Sequence, residues 1–179
     1  MHKKLKKVVI IGPESTGKST LSEALAKHYG EPWVEEFARE YIDGLDREYH
    51  YEDLLEIAKG QLALEEKKAE RANKLLFCDT DLHVLHVWSE HKYRKTDPWI
   101  TSQISQREYD LYLLTDIDIP WEEDPQREYP DPAMRQFFYD WYERLMKGTG
   151  VPVIKISGNL AARKALSIEA IENFLLKRS

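Results

Sequence analysis

Residues Gly12-Pro13-Glu14-Ser15-Thr16-Gly17-Lys18-Ser19 fit G-x-x-x-x-G-K-[ST], between the apolar run Lys7–Ile11 and a helical pattern over Lys18–Tyr29. Few arrangements satisfy such a segment. Glycines let the backbone wrap a phosphate, and the helix that follows aims free amide groups at the anion. Lys18 then reaches the β- and γ-phosphates, and Ser19 supplies a magnesium ligand. The loop from Gly12 through Glu14, Ser15, Thr16, Gly17, Lys18, Ser19 and Thr20 is therefore the expected nucleotide cradle.

The remaining pattern alternates. Apolar runs at Pro32–Val34, Leu75–Cys78, Asp110–Thr115 and Pro152–Ile156 read as further strands. Between them fall helical patterns: Asp53, read as a cap, to about Asn73; one carrying Leu82, Leu85 and Trp88; one opened by Asp97-Pro98; Ala133–Lys147; and a last one with Ser167 as its cap. Apolar strands alternating with helices predict a parallel five-stranded sheet covered on both faces, with ligands beyond the carboxyl ends of the strands. The fold class is α/β, the P-loop NTPase or kinase fold. Residues 1–179 read as one domain, with a proline-bearing lid at about 120–135.

Two other polar motifs fall at strand ends, and a third lies in the proline-bearing stretch. Cys78-Asp79-Thr80-Asp81 offers two acids near the phosphates, able to hold magnesium or orient an attacking hydroxyl; a turn or a helix cap is the plainer role. Glu35-Glu36-Phe37-Ala38-Arg39 places a carboxylate and an arginine toward the same crevice, although acids suit a first helical turn anyway. The stretch Trp121–Arg127, with Arg135 eight residues on, offers arginines on a lid that can neutralise a transferred phosphoryl group. Asp116 and Asp118 follow the fourth strand as turn or crevice residues. Trp88 and Tyr93 read as core aromatics or as a wall for a ring ligand. His83, His86 and Glu90 share helical spacing but form no zinc signature, so packed or solvated histidines are expected.

Composition narrows the class. With 26 basic and 32 acidic residues the net charge is -6, which gives no general attraction to nucleic acid or anionic lipid. Cys78 is the single cysteine, as suits a reducing, cytoplasmic setting. The apolar part of the N-terminal stretch spans four residues, short of the roughly 7–15 a signal peptide needs and the roughly 20 of a spanning helix.

These segments together resemble the ribosylnicotinamide kinase domain of NadR-type proteins: G-P-E-S-T-G-K-S-T-L, E-E-F-A-R-E-Y, C-D-T-D and D-I-P-W with its later arginine, spread from Ile11 to Ser157. The resemblance implies phosphorylation of the 5′-hydroxyl of nicotinamide riboside by ATP with magnesium, giving nicotinamide mononucleotide. It implies that Gly12 to Thr20 hold ATP, that Asp79 and Asp81 serve the metal or the acceptor hydroxyl, and that Arg127 is the lid arginine. With the residue readings above, the expected site has Lys18, Asp79, Asp81 and Arg127 as catalytic residues, Ser19 and Asp79 on the metal, and Glu36, Arg39, Trp88, Tyr93 and Arg135 toward the substrate. Pro125 stands where that family's lid is expected to carry glycine. Eleven residues precede Gly12, so neither an adenylyltransferase nor a DNA-binding module is expected. A kinase for another nucleoside or nucleotide is the nearest alternative. A nucleotide-dependent switch is the other class, and Asn73-Lys74-Leu75-Leu76 fails the N-K-x-D pattern of guanine readers.

Overall fold

The structure, a computed structural model, describes residues 4–177. Five parallel strands lie in the order β2-β3-β1-β4-β5: β1 Lys6–Ile11, β2 Trp33–Val34, β3 Leu75–Asp79, β4 Leu111–Thr115 and β5 Val153–Ile156. The helices are α1 Lys18–Tyr29, α2 Phe37–Asp43, α3 Tyr51–Ala69, α4 Leu82–Tyr93, α5 Pro98–Gln106, α6 Pro132–Gly148 and α7 Leu160–Ile171. A π-helical turn, Glu172–Leu176, continues α7.

The apolar runs form strands because both faces of the sheet are covered, so Val8–Ile11 of β1 and every position of β3 and β4 are buried. Val8 and Ile10 of β1 point to one layer, packed with Leu25, Phe77 and Ile171. Val9 and Ile11 point to the other, packed with Cys78, Val87, Tyr142 and Met146. A satellite cluster of Leu54, Ile57, Leu82, Leu85 and Ile100 joins α3, α4 and α5. Chain order reverses at β1, which pairs with β3 on one side and β4 on the other, opening a crevice above its carboxyl end.

The caps differ in part from the expectation. Asp97 caps α5 as expected, its carboxylate accepting from Trp99 N at 2.8 Å. Asp53 stands one turn inside α3 and accepts from His50 N at 2.7 Å, so His50 occupies the cap position. Ser167 lies buried within α7, donating to Arg163 O at 2.7 Å, and Asn159 caps that helix. The short helix α2 begins just after Glu36, so the helical turn offered as the plainer reading of Glu35–Arg39 is present.

Candidate active site

The phosphate loop is built by strain that only particular residues tolerate. Gly12 has φ +153°, and a Cβ there would lie 2.4 Å from Thr115 Oγ1 and 2.8 Å from Thr115 O. Gly17, at φ +74°, caps α1 in the left-handed region. Thr16 Oγ1 bonds Pro13 O at 2.8 Å and Thr115 Oγ1 at 2.7 Å, fastening the loop to β4. Lys18 Nζ donates to Pro13 O at 2.7 Å, so the ammonium is folded back across the loop.

This loop forms one wall of a cleft of about 310 Å³. Glu36, Ala38 and Arg39 from the start of α2, with Val84 and Trp88 from α4, line a second wall. Glu122, Gln126 and Arg127 of the β4–α6 connection cover it, and Gly158, Leu160 and Arg163 close the far end. Segments more than a hundred residues apart in sequence thus meet at one cleft.

Asp79 sits one hydrogen bond behind the cleft wall, buried at 1% exposure. Ser19 Oγ donates to its Oδ2, while Oδ1 is buried without a hydrogen-bond partner. Burial, then the field of the Glu36 carboxylate, pushes the Asp79 carboxyl up to about 7; Lys18 and the Ser19 bond oppose the rise. A serine hydroxyl and an orphaned carboxylate oxygen at a phosphate loop form a hard oxygen donor pair, which fits magnesium.

The lid is the irregular connection from β4 to α6, residues 116–131. Pro125 is the second residue of a turn in which Arg127 N donates to Asp124 O at 3.0 Å, a place where proline's fixed φ is favourable. That turn delivers Arg127, whose Nη1 lies 3.3 Å from Ser15 Oγ. Arg39 meets the lid, pairing with Asp124 at 2.8 Å. Trp88 presents its ring to the cleft and stacks on Tyr49 at 6.3 Å between centroids.

Besides Asp79, which lies just behind the wall, three predicted site residues are not in the cleft lining. Asp81 is buried with both oxygens engaged: Oδ1 accepts from His83 N at 2.9 Å, and Oδ2 meets His83 Nδ1 at 2.8 Å and Tyr112 Oη at 2.9 Å. It caps α4, and those bonds, with the His83 charge, hold its carboxyl below the usual carboxylate range despite burial. Tyr93 packs edge-on against Tyr51 in the α3–α4–α5 cluster. Arg135 belongs to the first turn of α6 rather than the lid. Its guanidinium is buried, donates to Ser15 O at 3.2 Å and to Ile119 O at 3.2 and 3.3 Å, and faces Trp121. It therefore braces the loop against the base of the lid. His83, His86 and Glu90 do not converge either: His86 and Glu90 both bond Thr96, and no group of three or more metal-ligating side chains occurs among the described residues.

Sequence reasoning missed Arg163. It is 3% exposed and donates to Thr16 O at 2.7 Å, Gly158 O at 2.7 Å and Asp116 O at 3.0 Å, with Asp118 completing the set. Asp118 in turn accepts from Gly158 N at 2.6 Å. The available signal was periodicity: Arg163 shares a helix face with Ser167, Ala170 and Ile171, a face that is otherwise buried.

The chain is 26% identical over 153 residues to the trifunctional NAD biosynthesis/regulator proteins NadR of Salmonella typhimurium and Escherichia coli; the match covers 83% of this chain and spans 37% of theirs. A crystal structure of NadR protein in complex with NR superimposes with a TM-score of 0.78 at 24% identity, over 96% of this chain and 50% of that one. Thymidylate kinase from Ehrlichia chaffeensis follows at 0.59 and 15%, over 93% and 98%. Those structural likenesses share the fold described above. The family model described as an AAA domain matches residues 7–163, and the chain belongs to that family.

Proposed function

We propose that this chain is an ATP-dependent nucleoside kinase, transferring the γ-phosphoryl group to the 5′-hydroxyl of nicotinamide riboside to give nicotinamide mononucleotide. The observation that carries the reading is the cleft itself. A phosphate loop, an arginine-bearing lid and a wall carrying Glu36 and Trp88 enclose one space of about 310 Å³, the scale of a small-molecule site. Similarity to NadR along most of the chain supplies the acceptor, and the cleft chemistry is compatible with it. A permanently cationic ring is favoured by an aromatic face and by carboxylates, and Trp88, Glu36 and Glu122 provide them.

Each residue has a definable task. The loop amides and Lys18 hold the β- and γ-phosphates. Ser19 and Asp79 would hold magnesium, which offsets phosphate charge when bound. Glu36 is the carboxylate on the cleft wall, placed to take the hydroxyl proton as the acceptor oxygen attacks. Arg127 meets the charge that spreads over the transferred group. Gly158, Leu160 and Arg163 form the end of the cleft suited to the nucleotide base. A kinase acting on another nucleoside or a nucleotide is the second reading, favoured by the shared fold of thymidylate kinase.

The test compares ADP release with and without nicotinamide riboside. Release that rises steeply with the riboside, matched by phosphorylated product, is expected. Slow release indifferent to any acceptor would make the chain a nucleotide-hydrolysing switch instead.

A further inference from the structure

Glu14 is an unexpected neighbour for a triphosphate. A carboxylate within a loop that receives phosphates repels them, and the repulsion is strong where water is sparse. Its oxygens are turned elsewhere. Oε2 accepts from the backbone N–H groups of Glu128 at 3.1 Å and Tyr129 at 3.2 Å, both on the lid. Burial pushes this carboxyl up, and the two lid amides counter the rise. The next residue completes the connection. Ser15, in the left-handed region at φ 57°, accepts from Glu122 N at 2.8 Å through its hydroxyl and holds Arg127 Nη1 at 3.3 Å. Two consecutive loop residues thus grip the lid on both sides of Arg127.

Three ties nearer the tip of the lid differ in kind. Arg39–Asp124, Gln126–Asp43 and Tyr49–Glu128 join side chains at exposed positions, which solvent weakens. The Glu14 clip instead runs from a carboxylate to the lid backbone, and its anchor is the segment that contacts the nucleotide.

We infer that Glu14 is a positioning residue: its carboxylate couples the phosphate loop to the lid, so that a filled loop holds Arg127 against the transferred group. The inference rests on the kinase reading for its catalytic consequence, and on geometry alone for the clip. Glu14→Ala removes two charge-assisted bonds, whereas Glu14→Gln keeps an oxygen able to accept both N–H groups.

The test uses the full chain with ATP, magnesium and nicotinamide riboside. Glu14→Ala is expected to lower kcat by about 10- to 100-fold with less than about a threefold change in KM for ATP, and Glu14→Gln to stay within about threefold of wild type. In the Arg127→Ala background, Glu14→Ala should cost no more than about twofold further, because both changes remove one interaction. With ADP bound, amide hydrogen exchange at Glu128 and Tyr129 should quicken by about tenfold in Glu14→Ala and stay unchanged in Glu14→Gln. A rise in KM with kcat unchanged, multiplicative losses with Arg127→Ala, or unchanged exchange would overturn the inference. An inactive wild-type chain would refute the kinase reading, and the exchange comparison would still decide the clip.

Discussion

Replacing Asp79 by asparagine should stabilise the magnesium-free protein at alkaline pH while destroying its activity. Asp79 is buried, one of its oxygens has no partner, and its carboxyl is raised from 3.8 to about 7. The folded state therefore holds this proton more tightly than the unfolded chain. Its contribution to stability is complete below pH 3.8 and is lost progressively as the pH rises through about 7. Each unit corresponds to about 1.36 kcal/mol, so the ionised carboxylate costs up to about 4 kcal/mol above neutrality. An asparagine amide nitrogen in the place of the partnerless Oδ1 is itself left unsatisfied and gives back about 1–2 kcal/mol of that gain. The net expectation at pH 8.5 is a gain of about 2–3 kcal/mol, or roughly 4–12 °C in Tm for a chain of this size. Urea unfolding of both proteins in chelator, from pH 4 to 8.5, measures it. The difference should be near zero or slightly unfavourable at pH 4 and grow with pH. A variant less stable than wild type by the same amount at every pH would refute the burial argument, because its effect would then be packing rather than charge.

The other substitutions probe separate parts of the site. Lys18→Ala should lower turnover by at least about a hundredfold with unfolding midpoints near wild type; retained turnover would remove the phosphate loop from the chemistry. Gly12→Ala places a methyl within 2.8 Å of two Thr115 atoms and should cost at least about 2 kcal/mol in denaturant unfolding as well as nucleotide affinity by calorimetry. Asp81→Ala strips the α4 cap and leaves His83 and Tyr112 unpaired. It should destabilise by about 3–5 kcal/mol yet leave kcat of the folded fraction within about twofold, and a large kcat loss would return Asp81 to the reaction.

The contrast between Asp79 and Asp81 shows where sequence stops being sufficient. In a continuing strand two positions apart means one face, and both acids would point alike. Thr80 adopts φ 72°, which turns the chain, so Asp79 stays beside the phosphate loop and Asp81 becomes the α4 cap. Nothing in C-D-T-D announces that turn. β3 and β4 were legible because full burial leaves unbroken apolar runs, and the loop because its glycines have so few alternative uses. Arg135 was legible as a charge near the lid but not as a buried brace, since its partners are backbone carbonyls of Ser15 and Ile119. Arg163 was hidden for the same reason: its carbonyl partners carry no sequence signature. Glu14 was readable as part of the cradle, while the lid amides it grips lie more than a hundred positions away.

Transfer to the nicotinamide riboside hydroxyl within this cleft is tested most directly by kcat/KM with ATP and magnesium for nicotinamide riboside, common nucleosides and nucleoside monophosphates, with ADP and phosphorylated product quantified in the same reactions. One-to-one formation of ADP and nicotinamide mononucleotide is expected, with nicotinamide riboside preferred over every other acceptor. Equal or better transfer to a different nucleoside or nucleotide would contradict the substrate while keeping the chemistry. ADP formation without any phosphorylated acceptor would contradict the claim as a whole.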